Sequence, residues 1–538
     1  MVMVWCMIRA VNSTLCSRKD GQAKSVIAIT QSGIVARADL FSYFSAKIAA
    51  MHRSILFLWL VFSLTLQPLF GQSPITEQLY ETYERYREPS LTKRRIKHDD
   101  IQPLLQKLKS EPGFEVRQVG TSIQGRSLNL VSIGIGETDV FLWSQMHGDE
   151  PTATMAIFDI LNFLASNDFE VQKLGLLSRV RLHFLPMLNP DGAELFRRRN
   201  ALGIDVNRDA LRLQSPEGRT LKAIRDSLDA DFGFNLHDQS RYYNALRTDK
   251  TATISYLAPA YDYAKSVNTV RSNAMKVIVM MNRIIQKYAP GRVGRYSDAF
   301  EPRAFGDNLQ KWGTSTILIE SGGYPGDREK QEIRKLNYVS ILSAIFAIAD
   351  GSFTSARLSE YNRIPWNDRK LFDLKLENLN YPLLGNTYRL DVGIHHYEVD
   401  LSGHEDFYFR SQVADQGDLS TYFGYTTLDC SDYTLQYGRV YPRVFTDLWD
   451  LSDLDFAFLL RQGYTYFKVA SAERNSTGIR YPAIVVPPDF EPSPPGGGTL
   501  PTTFLLNKDG QTVYAVVNGF LLDLRQALEW DGNGLIQR

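Results

Sequence analysis

The feature that most constrains the fold is an alternation that extends from Val116 to about Gly351, in which short apolar runs are separated by longer amphipathic stretches. Apolar runs of four to six residues are typical of buried strands, and apolar residues repeating at helical spacing are typical of helices. We predict strands at 140–143, 180–185, 232–236 and 316–319, and helices at 151–164 and 338–349. Strands joined through helices predict an α/β fold class with an open, mixed but mainly parallel sheet and helices on both faces.

After Gly351 the sequence changes to short aromatic and β-branched runs separated by Asn, Asp and Gly. Runs at 387–392, 406–409 and 512–517 are typical of strands, and Asn507-Lys508-Asp509-Gly510 is typical of a hairpin turn. A chain of 538 residues also exceeds what one hydrophobic core usually organises. We therefore predict an α/β domain at 73–351 and a β-rich domain of unknown role at 352–538.

Residues 51–72 have the layout of a secretory signal peptide that starts at Met51. His52 and Arg53 precede an apolar run at 55–66, which is too short to span a bilayer and is followed by small and polar residues. Residues 1–50 are then predicted to be a mis-called amino-terminal extension. The sequence predicts a secreted or periplasmic protein without a stable membrane anchor in its mature form. Only Cys430 follows residue 72, so no internal disulfide is expected, and this suits a bacterial periplasm.

The overall charge excludes a broad class of partners. Sixty Lys and Arg residues balance sixty Asp and Glu residues, so the chain has no net positive field that would attract nucleic acid. We expect no nucleic-acid partner, and recognition of any ligand must depend on a local site.

A candidate metal site lies at the ends of two predicted strands. His147 and Glu150 follow the strand at 140–143 on one sharp turn, and His237 follows the strand at 232–236. Two imidazoles and one carboxylate are a ligand set of catalytic zinc sites, which keep the fourth position for water or substrate. A His and a Glu three residues apart also occur by chance in a chain of this length, so an unrelated pair remains an alternative on these residues alone.

Further motifs follow in a fixed order along the chain: Asn189-Pro190-Asp191-Gly192, Arg198, Gly203-Ile204-Asp205-Val206-Asn207-Arg208 and Glu320-Ser321-Gly322-Gly323. With these motifs, the sequence resembles the zinc metallocarboxypeptidases, the carboxypeptidase A-like or funnelin family, over roughly residues 96–351. This resemblance implies a carboxypeptidase-like fold for the α/β domain.

The resemblance implies one zinc ion per chain, with His147, Glu150 and His237 as its ligands. It makes Asp205 the partner that orients His147, and Arg198 the group that polarises the scissile carbonyl. In the same way it assigns the binding of the terminal carboxylate of the substrate to Asn207 and Arg208, and the covering of the bound substrate to Tyr296. For Tyr296, the mobile tyrosine of the family, Phe300 is a competing match.

The implied reaction is zinc-dependent hydrolysis of the carboxyl-terminal peptide bond by a metal-activated water, with Glu320 as general base and acid. The partner is a peptide with a free terminal carboxylate. A zinc amidase acting on cell-wall peptides or acylated amino acids is an alternative, and so is a non-catalytic receptor for peptides or glycans. Residues near Phe305, Gly306 or Asp307 are expected at the base of the specificity pocket, so the side-chain preference stays open.

Some polar residues have simpler interpretations. Asp209 stands where many members of the family have Asn, and we expect its charge to weaken the local attraction for a substrate carboxylate. His183 alternates with apolar neighbours and is interpreted as a histidine that satisfies its hydrogen bonds within the sheet. A cluster of three histidines in the β-rich domain favours no second metal site, because no Cys or carboxylate has a ligand spacing there: His395, His396 and His404.

Overall fold

The structure is a computed structural model, and it describes residues 75–471, 478–491 and 498–537. These residues belong to one compact unit. The predicted extension at 1–50 and the predicted signal peptide at 51–72 lie outside the described residues. Within the described part of the chain, none of the helices has the length and apolar character that crossing a membrane requires.

The centre of residues 75–351, here called the α/β region, is an eight-stranded mixed sheet. Its strand order is β1-β2-β4-β3-β5-β9-β7-β8, and the four central strands β4, β3, β5 and β9 are mutually parallel. The strands of this region are β1 (Phe114–Thr121), β2 (Ser127–Ile133), β3 (Thr138–Ser144), β4 (Val180–Leu185), β5 (Phe232–Asp238), β6 (Asn244–Ala245), β7 (Ile254–Leu257), β8 (Val293–Arg295) and β9 (Ser315–Ser321).

Helices cover both faces of this sheet. The reason is visible in β3, where Val140 and Leu142 belong to the core on one face and Phe141 and Trp143 to the core on the other. A strand that is apolar on both sides requires cover on both sides. The helices of the region are α1 (Ile75–Thr82), α2 (His98–Leu108), α3 (Thr152–Ala165), α4 (Glu170–Leu177), α5 (Pro190–Glu194), α6 (Pro216–Leu228), α7 (Thr269–Tyr288), α8 (Phe305–Lys311) and α9 (Gln331–Asp350), with 3-10 turns at Tyr83–Arg85 and Val206–Arg208.

The remaining described residues, here called the β-rich region, form an eight-stranded sheet and a five-stranded sheet, while β10 pairs with β6 of the α/β region. Its strands are β10 (Asn367–Asp368), β11 (Leu371–Leu383), β12 (Asn386–Asp400), β13 (Phe407–Gly417), β14 (Phe423–Asp429), β15 (Thr434–Gln436), β16 (Arg439–Phe445), β17 (Tyr464–Val469), β18 (Gly478–Ile479), β19 (Ile484–Val486), β20 (Phe504–Lys508), β21 (Gln511–Val517), β22 (Phe520–Asp523) and β23 (Gly534–Ile536). Two short helices, α10 (Leu358–Arg363) and α11 (Phe456–Arg461), and 3-10 turns at Ser352–Ser355 and Leu448–Leu451 complete the region.

The predicted fold class is confirmed. Each of the four predicted strands overlaps an observed one, and the helices predicted at 151–164 and 338–349 overlap α3 and α9. The predicted hairpin joins β20 to β21, where Asp509 and Gly510 both have positive φ values of 51° and 78°. A two-residue turn that matches the twist of a hairpin requires positive φ at both of its central residues.

Candidate active site

The three predicted metal ligands meet at the carboxyl ends of β3 and β5. Nδ1 of His147 lies 2.8 Å from Oε1 of Glu150, and Nδ1 of His237 lies 2.6 Å from Oε2 of the same carboxylate. One ligand atom from each residue lies within 4.8 Å of the others, and all three residues are buried. The ends of parallel strands are where open α/β sheets place their sites.

The turn that carries His147 is held by a close approach of two motifs. A Cβ atom on Gly148 would lie 2.0 Å from the backbone carbon of Gly192, so only glycine fits there. Asn189 accepts a hydrogen bond from the backbone N–H of Gly192 at 3.0 Å and donates to the carbonyl of Met146 at 3.3 Å. The Asn-Pro-Asp-Gly motif therefore fixes the turn that presents His147 and Glu150.

Asp205 and Arg198 surround the outer side of His147. Oδ1 of Asp205 lies 3.1 Å from Nε2 of His147, and Oδ2 accepts from Nε of Arg198 at 3.1 Å. The NH1 group of Arg198 lies 3.2 Å from Oε1 of Glu150. Arg198 thus lies beside the ligand set with 42% of its side chain exposed, where a substrate can reach it.

Asn207 and Arg208 lie on the adjacent 3-10 turn. Nδ2 of Asn207 is 3.3 Å from Nε2 of His237, and its Oδ1 accepts from the backbone N–H of Phe305 at 3.0 Å. Nε of Arg208 lies 3.4 Å from a carboxylate oxygen of Glu301. The structure therefore brings both residues to the site, with Arg208 held by an ion pair.

Glu320 and Tyr296 complete the set of predicted residues. Glu320 is half-buried on β9 and is the direct register partner of His237 on β5. The ring of Tyr296 lies 6.0 Å from that of Tyr243, and burial, followed by the effect of Glu320, raises the pKa of Tyr296. Phe300, the competing match, packs edge-on against Tyr263 with 5.0 Å between ring centroids.

The electrostatics of the site follow from burial and close charges. Burial alone would raise the pKa of Glu150, but His147 and His237 hold it well below its ordinary value. Although burial opposes it, Glu150 and Asp205 raise the pKa of His147 to about 9. Burial and then the charge of Glu150 raise the pKa of Glu320 well above its ordinary value. The carboxylate of Glu150 is therefore ionised, with both histidines directed at it.

The donor set fits zinc. Both imidazoles direct Nδ1 at one carboxylate, and the opposite nitrogen of His147 is bound to a second carboxylate, Asp205. A carboxylate behind a ligating histidine is the usual arrangement around protein-bound zinc, because it fixes the tautomer and orients the ring. Within residues 75–471, 478–491 and 498–537, this is the only group of three or more such side chains that could hold a metal ion.

Asp238 is a supporting acid that the sequence did not predict. The backbone N–H of Asp238 donates to Oε2 of Glu150 at 3.2 Å. The carboxylate of Asp238 accepts from the hydroxyl of Thr152 at 2.6 Å and from Nζ of Lys330 at 2.9 Å. The only signal in the sequence was the position of Asp238 directly after His237, a candidate ligand. Its partner Lys330 is 92 residues away along the chain.

Asp209 has contacts that the sequence did not predict. Its carboxylate accepts from the backbone N–H groups of Gln214 and Ser215 at 2.8 and 2.7 Å and from the Ser215 hydroxyl at 2.7 Å. It therefore holds the loop before α6. His183 is bound to Ser132 and Asp139 within the sheet, as interpreted from the sequence.

The three histidines of the β-rich region have separate contacts. His395 stacks on Tyr242, His396 stacks on Phe520, and His404 pairs with Asp400.

A family comparison agrees with the motifs. The family model described as zinc carboxypeptidase matches residues 101–227. This confirms the resemblance for that part of the chain, which contains His147, Glu150, Arg198 and the Asp205–Arg208 turn. His237 and Glu320 lie beyond the match, and the fold brings them to the same site.

Curated relatives and solved structures have related descriptions. Carboxypeptidase SOL1 of Arabidopsis thaliana is 26% identical over 221 residues, covering 35% of this chain and 44% of that protein. The human carboxypeptidase N catalytic chain is 30% identical over 142 residues, covering 22% and 31%. The chain therefore spans less than half the length of these relatives. A metallo-carboxypeptidase structure from Burkholderia cenocepacia is 17% identical over 47% of this chain and 69% of that chain, with a TM-score of 0.39.

Proposed function

We propose that this chain, whose residues 101–227 match the zinc carboxypeptidases, hydrolyses the carboxyl-terminal peptide bond of peptides in a zinc-dependent reaction. The observation that carries the proposal is the convergence of Nδ1 of His147 and Nδ1 of His237 on the two oxygens of Glu150. Two further contacts support the proposal. Asp205 binds the opposite side of the His147 ring, and Arg198 places a cation beside Glu150.

One zinc ion per chain would be held by His147, Glu150 and His237. When bound, zinc supplies Lewis acidity and lowers the pKa of water to about 7, which makes a nucleophile available at neutral pH. Asp205 keeps the His147 ring in the ligating tautomer through its contact with Nε2. Asp238 holds Glu150 in place with its backbone N–H.

Glu320 is the proposed general base and acid. Its register with His237 places it on the neighbouring strand at the level of a metal ligand. In this role its carboxylate takes a proton from the attacking water and gives it to the leaving amine. Arg198 stabilises the negative charge that develops on the carbonyl oxygen of the substrate, and Asp205 aims it for this purpose.

Arg208 and Asn207 are the proposed binding groups for the terminal carboxylate of the peptide. The planar guanidinium of Arg208 matches a carboxylate with two parallel hydrogen bonds. In the structure this guanidinium is paired with Glu301 over 3.4 Å, so a substrate carboxylate exchanges for Glu301 at that position. Tyr296 is proposed to cover the bound residue from the side of Glu320.

The sequence supports a location for this activity. Residues 51–72 have the layout of a signal peptide. Its removal would leave a mature chain that begins near Ser73 and acts outside the cytoplasm, in the periplasm or the surrounding medium.

Matched peptides test the proposal. Purified protein is incubated with zinc and a peptide library in two forms, one with free carboxyl termini and one with amidated termini, and the product masses are recorded. We expect single-residue losses from the free form alone, abolished by a chelator and by Glu320→Gln. An Arg208→Gln variant should lose most of its preference for the free terminus.

The alternatives give other results. Cleavage of murein peptides without removal of ordinary carboxyl-terminal residues would support the amidase. A folded, zinc-loaded protein that binds peptides and cleaves none would support the receptor.

A further inference from the structure

The guanidinium of Arg95 lies between an active-site loop and the β-rich region. Its carbon Cζ is 4.1 Å from the ring centroid of Phe196 and 4.7 Å from that of Phe407. Its NH1 and NH2 groups donate to Asp400 at 2.8 Å and to Glu398 at 3.1 Å. We call these five residues the Arg95 brace.

The brace is buried and its geometry is specific. Only 3% of the Arg95 side chain is exposed. Its flat face contacts two aromatic rings while its edge binds two carboxylates of β12, an arrangement that suits guanidinium and not ammonium. The brace therefore links Phe196 of the α/β region to β12 and β13 of the β-rich region.

Phe196 is two residues before Arg198, and its backbone is strained. Its φ is 47°, which is unfavourable for a bulky residue, so this conformation persists only because the surroundings impose it. The loop has further contacts on its inner side, where the N–H of Arg197 donates to the carbonyl of Gly192 at 2.8 Å and Asn189 donates to the carbonyl of Arg198 at 3.3 Å. On its outer side, the ring of Phe196 is in contact with Arg95.

We propose that the β-rich region positions Arg198 for the reaction through the Arg95 brace. Glu398 and Asp400 hold Arg95, Arg95 holds the ring of Phe196, and the ring fixes the strained backbone from which Arg198 extends. Arg95 and Phe196 are positioning residues, because neither touches the ligand set. The inference rests on the proposed role of Arg198 in the peptidase reaction.

Steady-state kinetics on a good peptide substrate test the inference. Arg95→Leu should lower kcat by about tenfold or more and leave KM within about twofold, since small displacements of a catalytic group are costly. Arg95→Lys keeps the charge beside Asp400 but cannot stack flat, so it should show part of the loss. Phe196→Tyr keeps the ring and should keep the activity, whereas Phe196→Ala should reproduce the loss.

Lys93→Gln is the matched control. Lys93 belongs to the same segment and pairs with Asp406 of the β-rich region at 3.0 Å, but both side chains are about half exposed and neither touches Phe196. An exposed ion pair contributes little. This variant should therefore behave like the wild type.

A double-mutant cycle separates positioning from general weakening of the fold. If Arg95 acts through Arg198, Arg95→Leu should have no further effect on kcat in an Arg198→Gln background. Losses that multiply in that background would overturn the proposal, and so would an unchanged kcat in Arg95→Leu.

Amide hydrogen exchange of residues 193–203 gives a readout that does not depend on activity. Exchange should become faster in Arg95→Leu and stay unchanged in Lys93→Gln. Equal exchange in Arg95→Leu and the wild type would overturn the brace. If the wild type cleaves no peptide, the proposed function fails, while this comparison still decides whether Arg95 holds the loop.

Discussion

Asp205→Asn should weaken zinc binding without removing a ligand. Asp205 is buried and lies 3.1 Å from Nε2 of His147, accepts from Arg198 at 3.1 Å, and accepts from the backbone N–H of Asn207 at 3.0 Å. Burial opposes ionisation, yet the hydrogen bond and charge of His147 and the charge of Arg198 hold the pKa of Asp205 well below its ordinary value. The carboxylate is therefore ionised at neutral pH and fixes the ring of His147.

The expected magnitude follows from these contacts. Asparagine has nearly the same shape but lacks the charge, and it can donate to Nε2 of His147 as well as accept from it. The ligating tautomer is then no longer imposed. Loss of such a supporting carboxylate usually lowers metal affinity by about 10- to 100-fold. This corresponds to about 1.4–2.7 kcal/mol of binding free energy.

Asp209→Asn is the matched control, since it makes the same chemical change four residues along the same loop. Its carboxylate binds Gln214 and Ser215, so the variant should lose stability and keep its zinc affinity. Zinc dissociation constants are measured at pH 7 by competition with a chelator of known affinity. A dissociation constant for Asp205→Asn within twofold of the wild type, or equal losses in both variants, would refute the reasoning.

Three further predictions concern catalysis and stability. Glu320→Gln should lower kcat by about 10²- to 10⁴-fold and keep zinc bound, because it removes a proton acceptor and not a ligand; loss of zinc in that variant, measured by metal analysis, would contradict this role. Arg334→Met should cost about 3–5 kcal/mol of unfolding free energy in urea titrations, because it leaves the fully buried Asp159 without its counter-ion, and the double variant with Asp159→Leu should recover part of the loss. Burial and then the charge of Arg241 lower the pKa of His396 to about 4, below the ordinary 6.5, so His396 takes up its proton at higher pH in the unfolded chain. The contribution of His396 to the free energy of unfolding should therefore be fully present above pH 6.5 and fall by about 3 kcal/mol as the pH approaches 4, a slope that His396→Phe should reduce; equal slopes in both proteins would show that another group is responsible.

The central strands were predicted from local patterns, and the three residues of the candidate metal site were predicted from ordered motifs. Apolar runs such as 180–185 match an observed strand residue for residue, since a strand that is buried on both faces has few polar positions. The three ligands lie at strand ends, and the ends of neighbouring parallel strands meet at one edge of a sheet. That β3 and β5 are neighbours depends on the order of the strands, which local patterns did not predict.

Contacts between distant segments could not be predicted in the same way. Arg95 lies in a basic run, and such runs are usually solvated, but the fold brings it to Asp400, which is 305 residues away. Similarly, Asp209 was expected to influence the substrate because of its position next to Arg208. Its contact with Ser215 was not predicted, because it depends on the turn of the backbone.

The β-rich region contacts the loops that follow the active-site strands at more than one place. The hydroxyl of Tyr425 on β14 donates to the carbonyl of Arg241, four residues after His237, at 2.6 Å. The same hydroxyl lies so close to Gly323, three residues after Glu320, that a Cβ atom there would be 2.2 Å away. Arg241 also forms an ion pair with Asp373, which is buried on β11.

Truncation after Gly351 should therefore abolish turnover and not only change the choice of substrate. It would remove Tyr425 from two active-site loops, Asp373 from Arg241, and both carboxylates from Arg95. The matched comparison is a Tyr425→Phe variant of the full chain, which loses one hydroxyl and should retain most of its activity. A truncated protein that folds and cleaves peptides at the wild-type rate would show that the α/β region forms its site alone, and it would contradict the role proposed for the brace.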